Sequence, residues 1–205
     1  MKKLVIAIVT ASVLWFVMFS PLTAPHLNFW VAMSLSATLL VGFSVWFGKR
    51  QILSSLWFSW RDLGLGVVSA ALLWGVFWLG NYFSNLLFDF AQGQVGSIYA
   101  MKDGNNQTVI AIALLLLIGP AEEIFWHGYV QNTLSQKIPS LWVVACTALI
   151  YSLVHLPSLN FMLIMAAFVC GLFWSTMYYY NRNLLTVIVS HALWDVSVFV
   201  LFPIS

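Results

Sequence analysis

The chain carries very little charge for its length. Of its 205 residues, eight are basic and six are acidic, whereas 62% are hydrophobic. A water-soluble domain has roughly 25% charged residues, because its surface must be hydrated. The deficit excludes a soluble globule, a disordered segment and a coiled coil. The sequence also contains no basic cluster or Arg-rich arm, so nucleic acid is not an expected partner.

Cysteine is even scarcer than charge, with two residues in the chain. Cys146 and Cys170 each lie within an apolar run, so we expect no disulfide framework. Neither thiol has an obvious base near it, and no serine nucleophile motif or glycine-rich phosphate loop is visible. These absences argue against thiol, serine and nucleotide chemistry. Of the classes of protein considered, an integral membrane protein remains.

Long apolar runs dominate the chain. There are seven, at about 4–19, 28–47, 63–88, 108–134, 140–156, 158–180 and 183–202. A membrane-spanning helix needs about 20 such residues. The runs predict an all-α, polytopic transmembrane helical bundle with about seven spans (six to eight), forming a single integral membrane domain over residues 1–205.

The first run and the segments between the runs allow three further predictions. The first run is expected to be a retained helix and not a signal peptide, because Pro25 directly follows the only small-residue cleavage site. The polar stretch from Gly48 to Asp62 fits a short helix in the membrane interface or a connecting loop. Residues 91–107 are predicted to form the longest loop.

The basic residues predict the orientation. If the N-terminus is cytoplasmic, the inner loops hold seven of them, namely Lys2, Lys3, Lys49, Arg50, Arg61, Lys137 and Arg182. The outer loops then hold only Lys102. Because cytoplasmic loops carry an excess of Lys and Arg, this distribution predicts an N-in topology.

Six ionisable residues lie inside the apolar runs, where a charge at a helix centre costs about 2.5–3.5 kcal/mol. They are Glu122, Glu123, His127, His155, His191 and Asp195. At ~1.5 Å per residue, four of them lie about 12–22 Å from the cytoplasmic ends of three runs. We therefore expect Glu122, His155 and His191 to surround one water-sized site near the membrane centre.

Local spacing supports such a site. Glu123 and His127 are four residues apart, as are His191 and Asp195, so each pair shares a helix face. Gly119-Pro120 precedes the glutamates and is expected to interrupt the helix there, because proline lacks the backbone N–H. On the third run, a polar stripe of Asn81, Asn85 and Asp89 lines a path to the site or joins two helices.

Few reactions are open to this set of side chains. A carboxylate and an imidazole in a wet pocket activate water and stabilise an oxyanion, which is hydrolysis. His, Asp and Glu are also zinc ligands, so Glu122, His155, His191 and Asp195 are candidate metal ligands and zinc is a candidate cofactor. The remaining alternative is a purely structural set of helix–helix hydrogen bonds.

Three motifs, taken in order, resemble those of the CPBP intramembrane proteases, which include CAAX-processing, Rce1-like and bacterial abortive-infection-like proteins. That family has a glutamate pair followed by arginine, then aromatic-x-x-x-His, then His-x-x-x-Asn. The corresponding segments here are 122–127, 151–155 and 191–195. The resemblance covers about residues 108–200, expected to be the catalytic core, with residues 1–107 as accessory N-terminal helices.

The resemblance implies an intramembrane endopeptidase that cuts a membrane-associated peptide or protein. In the glutamate pair formed by Glu122 and Glu123, it implies that Glu122 activates water and that His155 assists. It also implies that His191 and residue 195 lie at the oxyanion position. All five are thus candidate catalytic residues.

Two departures from the family pattern concern charge. His127 stands where the family has arginine, so a permanent cation is replaced by a titratable group that tunes the glutamates. Asp195 stands where asparagine is common, and an ionised carboxylate cannot donate to an oxyanion. Asp195 is then protonated, orients His191 or ligates a metal.

Two other functions compete with proteolysis. One is a non-catalytic membrane regulator or immunity protein of the same fold, and the other is a transporter with a carboxylate proton relay. The absence of a sequence repeat disfavours the transporter. We expect a multi-pass protein of the plasma (inner) membrane of a prokaryote, with membrane lipid and a membrane-associated substrate as its partners.

Overall fold

The computed structural model describes residues 1–138 and 141–204, and all regular secondary structure within them is helical. We number eight helices in chain order: α1 Lys2–Phe19, α2 Phe29–Ser54, α3 Trp60–Leu87, α4 Ala91–Ala100, α5 Gln107–Ser135, α6 Trp142–Leu153, α7 Phe161–Asn181 and α8 Leu184–Leu201. The α-helical bundle expected from the sequence is confirmed.

Six of these helices are long and apolar enough to cross a membrane, all except α4 and α6. The protein is therefore an integral, multi-pass membrane protein. The run expected at 140–156 forms the shorter α6, which a 3-10 turn at Leu156–Ser158 follows. Pro139 and Ser140, where the sequence puts the preceding break and the start of that run, lie outside the described residues. Seven spans and N-in remain predictions.

Two expectations for the connecting segments were wrong. Residues 91–107 are not one long loop, because their first ten residues form α4. Contacts with the start of α7 stabilise that helix: Asn160 donates to the Gln94 carbonyl, and Gln94 Oε1 accepts from the Met162 amide. The polar stretch after residue 47 is neither a separate helix nor wholly a loop, because α2 continues through it to Ser54.

The predicted interruption at Gly119-Pro120 takes the form of widened turns. The backbone is π-helical over Leu114–Ile118, immediately before the proline, and again over Ile124–Gln131. The Gly119 amide bonds to the Leu114 carbonyl, five residues back. π-turns of this kind often occur at functional sites. Here they flank the two glutamates.

Glycine at position 119 lets α5 approach α8 closely. A Cβ atom at Gly119 would lie 2.9 Å from the Ala192 Cα, so no larger residue fits without separating the helices. Ala192 follows His191 directly. This contact therefore brings the glutamates of α5 beside the histidine of α8.

A second polar cluster joins α3 to the α7–α8 turn, far along the bundle from Gly119. Asp62 is buried, and its two carboxylate oxygens accept bonds of 2.8 Å from the side-chain amides of Asn181 and Asn183. Asn181 also bonds to Thr186. Between the two asparagines, Arg182 adopts a left-handed conformation with φ of 58°. The cluster fixes the turn that starts α8.

Candidate active site

A cavity of about 520 Å³ opens within the bundle, and its walls are mostly apolar. Four of the six candidate residues line it: Glu122 from α5, His155 from just after α6, and His191 and Asp195 from α8. All four side chains are buried. The structure therefore brings the predicted residues Glu122, His155 and His191 to one cavity.

Glu122 is the glutamate that faces this cavity. It is 6% exposed, and its Oε2 atom has no hydrogen-bond partner among the described residues. Tyr151, on the same wall, has its hydroxyl beside the Glu122 carboxyl. A buried carboxylate oxygen without a protein partner is costly unless water or a ligand occupies the space next to it. Glu122 is thus a buried carboxyl on the cavity wall whose hydrogen-bonding capacity the described residues do not fully satisfy.

Glu123 lies behind the cavity wall and contacts two histidines. Its Oε1 is 2.6 Å from His191 Nδ1, in a hydrogen bond that links α5 to α8. Its Oε2 is 2.6 Å from His127 Nδ1, but the ring nitrogen is not aimed at the oxygen, so this is a close charge contact and not a hydrogen bond. Glu123 holds the histidines and does not line the cavity.

His191 lies between two carboxylates and is held flat against an indole. Its Nδ1 faces Glu123, and its Nε2 lies 3.3 Å from Asp195 Oδ2. The ring stacks on Trp174, with centroids 3.8 Å apart and an angle of 21° between planes. Because the imidazolium form donates from both nitrogens, it satisfies both carboxylates at once. The Nε2 side, beside Asp195, borders the cavity.

Both ring nitrogens of His155 have partners. Its Nδ1 is 2.9 Å from the Tyr151 carbonyl, and Trp15 Nε1 donates to its Nε2 over 3.1 Å. An indole N–H only donates and a carbonyl only accepts, so Nε2 accepts and Nδ1 carries the proton. His155 is therefore neutral in this arrangement, with no unbonded ring nitrogen. Trp15 belongs to α1, far from His155 in sequence.

His127 is buried at the contact between α5 and α7. Its Nε2 lies 3.2 Å from Ser175 Oγ, and the neighbouring Gln131 donates to the Ser175 carbonyl over 2.9 Å. His127 reaches the cavity only through Glu123. This position suits the tuning role that the sequence suggests for it.

The donor set does not fit the zinc site considered from the sequence. Among residues 1–138 and 141–204, no three His, Cys, Asp or Glu side chains are grouped so as to hold a metal ion. Of the four candidates, His155 has no free lone pair, and His191 has both ring nitrogens facing carboxylates. We therefore assign no step to a metal.

Sequence reasoning missed several residues that position the site. They are Trp15, which bonds to His155; Trp174, which stacks on His191; Ser175, which contacts His127; and Tyr151, beside Glu122. Only Tyr151 had a signal, since it is the aromatic residue of the second motif. In a chain with 11 tryptophans, nothing in the sequence singles out Trp15 or Trp174.

The polar stripe on α3 meets the cavity at one of its three residues. Asn81 lines the cavity together with Ser84, whereas Asn85 and Asp89 are not part of its wall. Asn81 also borders a smaller surface pocket that Asn85 helps to line. Because α3 ends at Leu87, Asp89 lies outside the helix, and only Asn81 and Asn85 of the predicted stripe are on α3.

One comparison with known proteins is informative. The family described as type II CAAX prenyl endopeptidase Rce1-like matches residues 104–197. No curated protein and no solved structure matches the chain. The matched segment contains Glu122, Glu123, His127, His155, His191 and Asp195, in the order that the family motifs require. Over residues 104–197, this match therefore confirms the resemblance to Rce1-like proteins that the three motifs indicate.

Proposed function

We propose that the protein is an intramembrane endopeptidase that hydrolyses a peptide bond in a membrane-associated protein or peptide. The observation that carries this proposal is the Glu122 carboxyl, buried on a cavity wall with one oxygen unpartnered and with His191 on the same wall. A base and an oxyanion donor facing one cavity are what amide hydrolysis requires.

Glu122 acts as the general base. It accepts a proton from water while the water oxygen attacks the carbonyl carbon of the substrate, and a tetrahedral oxyanion forms. The same proton then passes to the nitrogen of the leaving amine as the C–N bond breaks. The products are a carboxylic acid and an amine, so one water is consumed for each bond cut.

His191 stabilises the oxyanion through its Nε2 N–H. Its contact with Asp195 Oδ2 is 3.3 Å, longer than a strong charged hydrogen bond, so the N–H is available to a better-placed acceptor. Asp195 and Glu123 orient the ring from opposite sides. Of the three roles that the sequence leaves open for Asp195, this geometry favours orientation of His191.

His155 assists without accepting a proton. The bonds to Trp15 and to the Tyr151 carbonyl fix its ring, and the ring packs at 5.3 Å from that of Tyr151. Because the hydroxyl of Tyr151 lies beside Glu122, His155 supports the base indirectly. We further propose that the protein acts in the plasma (inner) membrane of a prokaryote.

Comparing new protein N-termini in cells that produce the wild type or Glu122→Ala tests the function. We expect at least one membrane-associated protein to be cut by the wild type and left intact by the variant. Asp103→Ala is the matched control, since it removes an exposed carboxylate outside the cavity. If wild type and Glu122→Ala give the same termini, the enzyme proposal fails and the non-catalytic regulator replaces it.

A further inference from the structure

The cavity extends from the middle of the bundle toward the end that is remote from the seven basic residues of the predicted inner loops. Every helix that lines it does so at the same end. On α2 the lining residues start at Phe29, the first residue of the helix, and on α3 they extend to Phe88, just past its last. The basic residues Lys49, Arg50 and Arg61 lie at the opposite ends of these two helices.

The other helices follow the same rule. The lining part of α5 is its beginning, up to Glu122, whereas Lys137 lies beyond its end. The lining part of α7 runs from Phe161 to Cys170, whereas Arg182 follows its last residue. Because Lys and Arg concentrate on the cytoplasmic side, the cavity belongs to the non-cytoplasmic half of the membrane.

The cavity has a side opening between α3 and α7. Its exposed lining residues are on these two helices, and they include Val76 and Phe88 on one side and Phe161 and Met165 on the other. The exposed surfaces of both helices are apolar, so in a membrane the opening faces lipid and not water. A molecule that uses it must already be in the bilayer.

Polar groups at this opening favour a peptide as the occupant. Asn81 and Ser84 of α3 line the cavity on the same helix as the exposed residue Val76 of its mouth. An extended peptide within the bilayer exposes backbone N–H and C=O groups that need partners, each costing several kcal/mol if unpaired. An acyl chain has no such need. An amide and a hydroxyl at the entrance therefore suit a peptide backbone.

We propose that the cavity receives an apolar peptide segment from the bilayer, between α3 and α7, in the non-cytoplasmic half of the membrane. This inference rests on the proposed function and adds the substrate class: membrane-anchored peptides whose scissile bond lies toward the non-cytoplasmic side. Polypeptide tails on the cytoplasmic surface are outside its reach, although the name of the matching family refers to prenylated CAAX tails.

The side of the membrane is tested without any substrate. In a full-length chain with Cys146 and Cys170 changed to alanine, single cysteines are introduced as Gly93→Cys on α4 or Gln136→Cys beyond α5. Both positions are exposed, and a Cβ at Gly93 meets no other atom within 4 Å. An impermeant maleimide added to intact cells is expected to label Gly93→Cys, and Gln136→Cys only after lysis. The reverse pattern overturns the inference.

The side opening is tested with two glycines of α3. A Cβ at Gly75 or at Gly80 meets nothing within 4 Å, but only Gly80 lines the cavity. We expect Gly80→Leu to reduce formation of the Glu122-dependent termini roughly tenfold or more, because a side chain then fills the entrance. Gly75→Leu, the matched control, is expected to cut like the wild type. Equal cutting by both variants overturns the proposed entrance.

The position of the cut sites separates failure of this inference from failure of the proposed function. Glu122-dependent termini in the non-cytoplasmic halves of membrane segments support the inferred substrate class. Glu122-dependent termini on the cytoplasmic side overturn the inferred substrate class but not the proposed function. If no terminus depends on Glu122, the proposed function and the substrate class both fall. The maleimide result still decides the side on which the cavity lies.

Discussion

Two carboxylates are buried in this bundle, Asp62 at the start of α3 and Glu122 near the middle of α5, and they differ in how their oxygens are satisfied. Asp62 has a side-chain amide on each oxygen, from Asn181 and Asn183, in two bonds of 2.8 Å. Glu122 leaves one oxygen without a partner among the described residues, although it is as buried as Asp62, with each 6% exposed.

The difference separates a structural carboxylate from the one that we propose to be reactive. Every lone pair occupied by a protein donor is unavailable to a substrate, and the donors on Asp62 instead stabilise the turn between α7 and α8. A buried oxygen left open destabilises the fold by about 1–3 kcal/mol. Such a cost persists where an open oxygen serves function, and Glu122 faces a cavity large enough for a peptide.

Exchanging each carboxylate for its amide gives the largest expected contrast. Glu122→Gln should lose about 10²- to 10⁴-fold in cleavage rate, because general-base assistance is removed. Asp62→Asn should leave the rate of the folded protein unchanged but lower its stability by about 1–3 kcal/mol, since the asparagine amides then face a donor. Cleavage rate and thermal unfolding in detergent check both. A stable, active Glu122→Gln protein would contradict the distinction.

Glu123→Gln should affect stability more than Glu122→Gln does. Glu123 holds His191 and His127, each over 2.6 Å, so its neutralisation leaves both imidazoles without their buried anion. We expect a loss of roughly 3 kcal/mol, typical of a broken buried ion pair, and a smaller loss of activity than in Glu122→Gln. An inactive Glu123→Gln protein of normal stability, beside an active Glu122→Gln protein, would invert the two roles.

Trp15→Phe should change the hydrogen bonding of His155 with only a modest effect on rate. The aromatic packing stays while the N–H donor to Nε2 disappears. Losing one hydrogen bond of about 1 kcal/mol predicts a decrease of about fivefold. Side-chain ¹⁵N NMR of histidine-labelled protein gives the direct measurement, with His155→Gln to assign the signal. An unshifted His155 Nε2 signal would show that Trp15 does not bond to it.

His127→Arg should have the smallest effect, with activity kept or raised. Arginine is the residue that the family has at this position, and it would place a permanent cation beside Glu123. Because His127 reaches the cavity only through Glu123, the substitution leaves the cavity wall unchanged. Cleavage rate relative to wild type checks this. A large loss of activity would mean that His127 has a more direct role than tuning.

Much of the fold followed from hydropathy, because a membrane helix is specified by its own length and apolarity. The limits appear where tertiary contacts decide. Residues 91–107 are polar enough to be predicted as a loop, yet Gln94 and Asn160 bond α4 to the start of α7. Helix ends shifted for the same reason, as in α2, which continues to Ser54.

The candidate site was predictable as far as its ionisable residues, because charge within an apolar run is rare and conspicuous. The different roles of the adjacent residues Glu122 and Glu123 were harder to predict. Spacing alone does not say which of Glu122 and Glu123 faces the cavity, since that depends on the rotation of α5 between its π-turns. The role of Trp15 had no sequence signal, because its partner His155 is 140 residues away.

The hydrogen bonds across the bundle also bear on how the protein is made. His155 bonds to Trp15 of α1, and Glu123 bonds to His191 of α8, so the cluster includes groups from both helices. At about 5–20 residues per second, translation of this chain takes roughly 10–40 s. For most of that time α8 has not yet been synthesised. A nascent chain thus enters the membrane without the complete cluster, and the proposed hydrolytic activity requires α8 to have packed against α5.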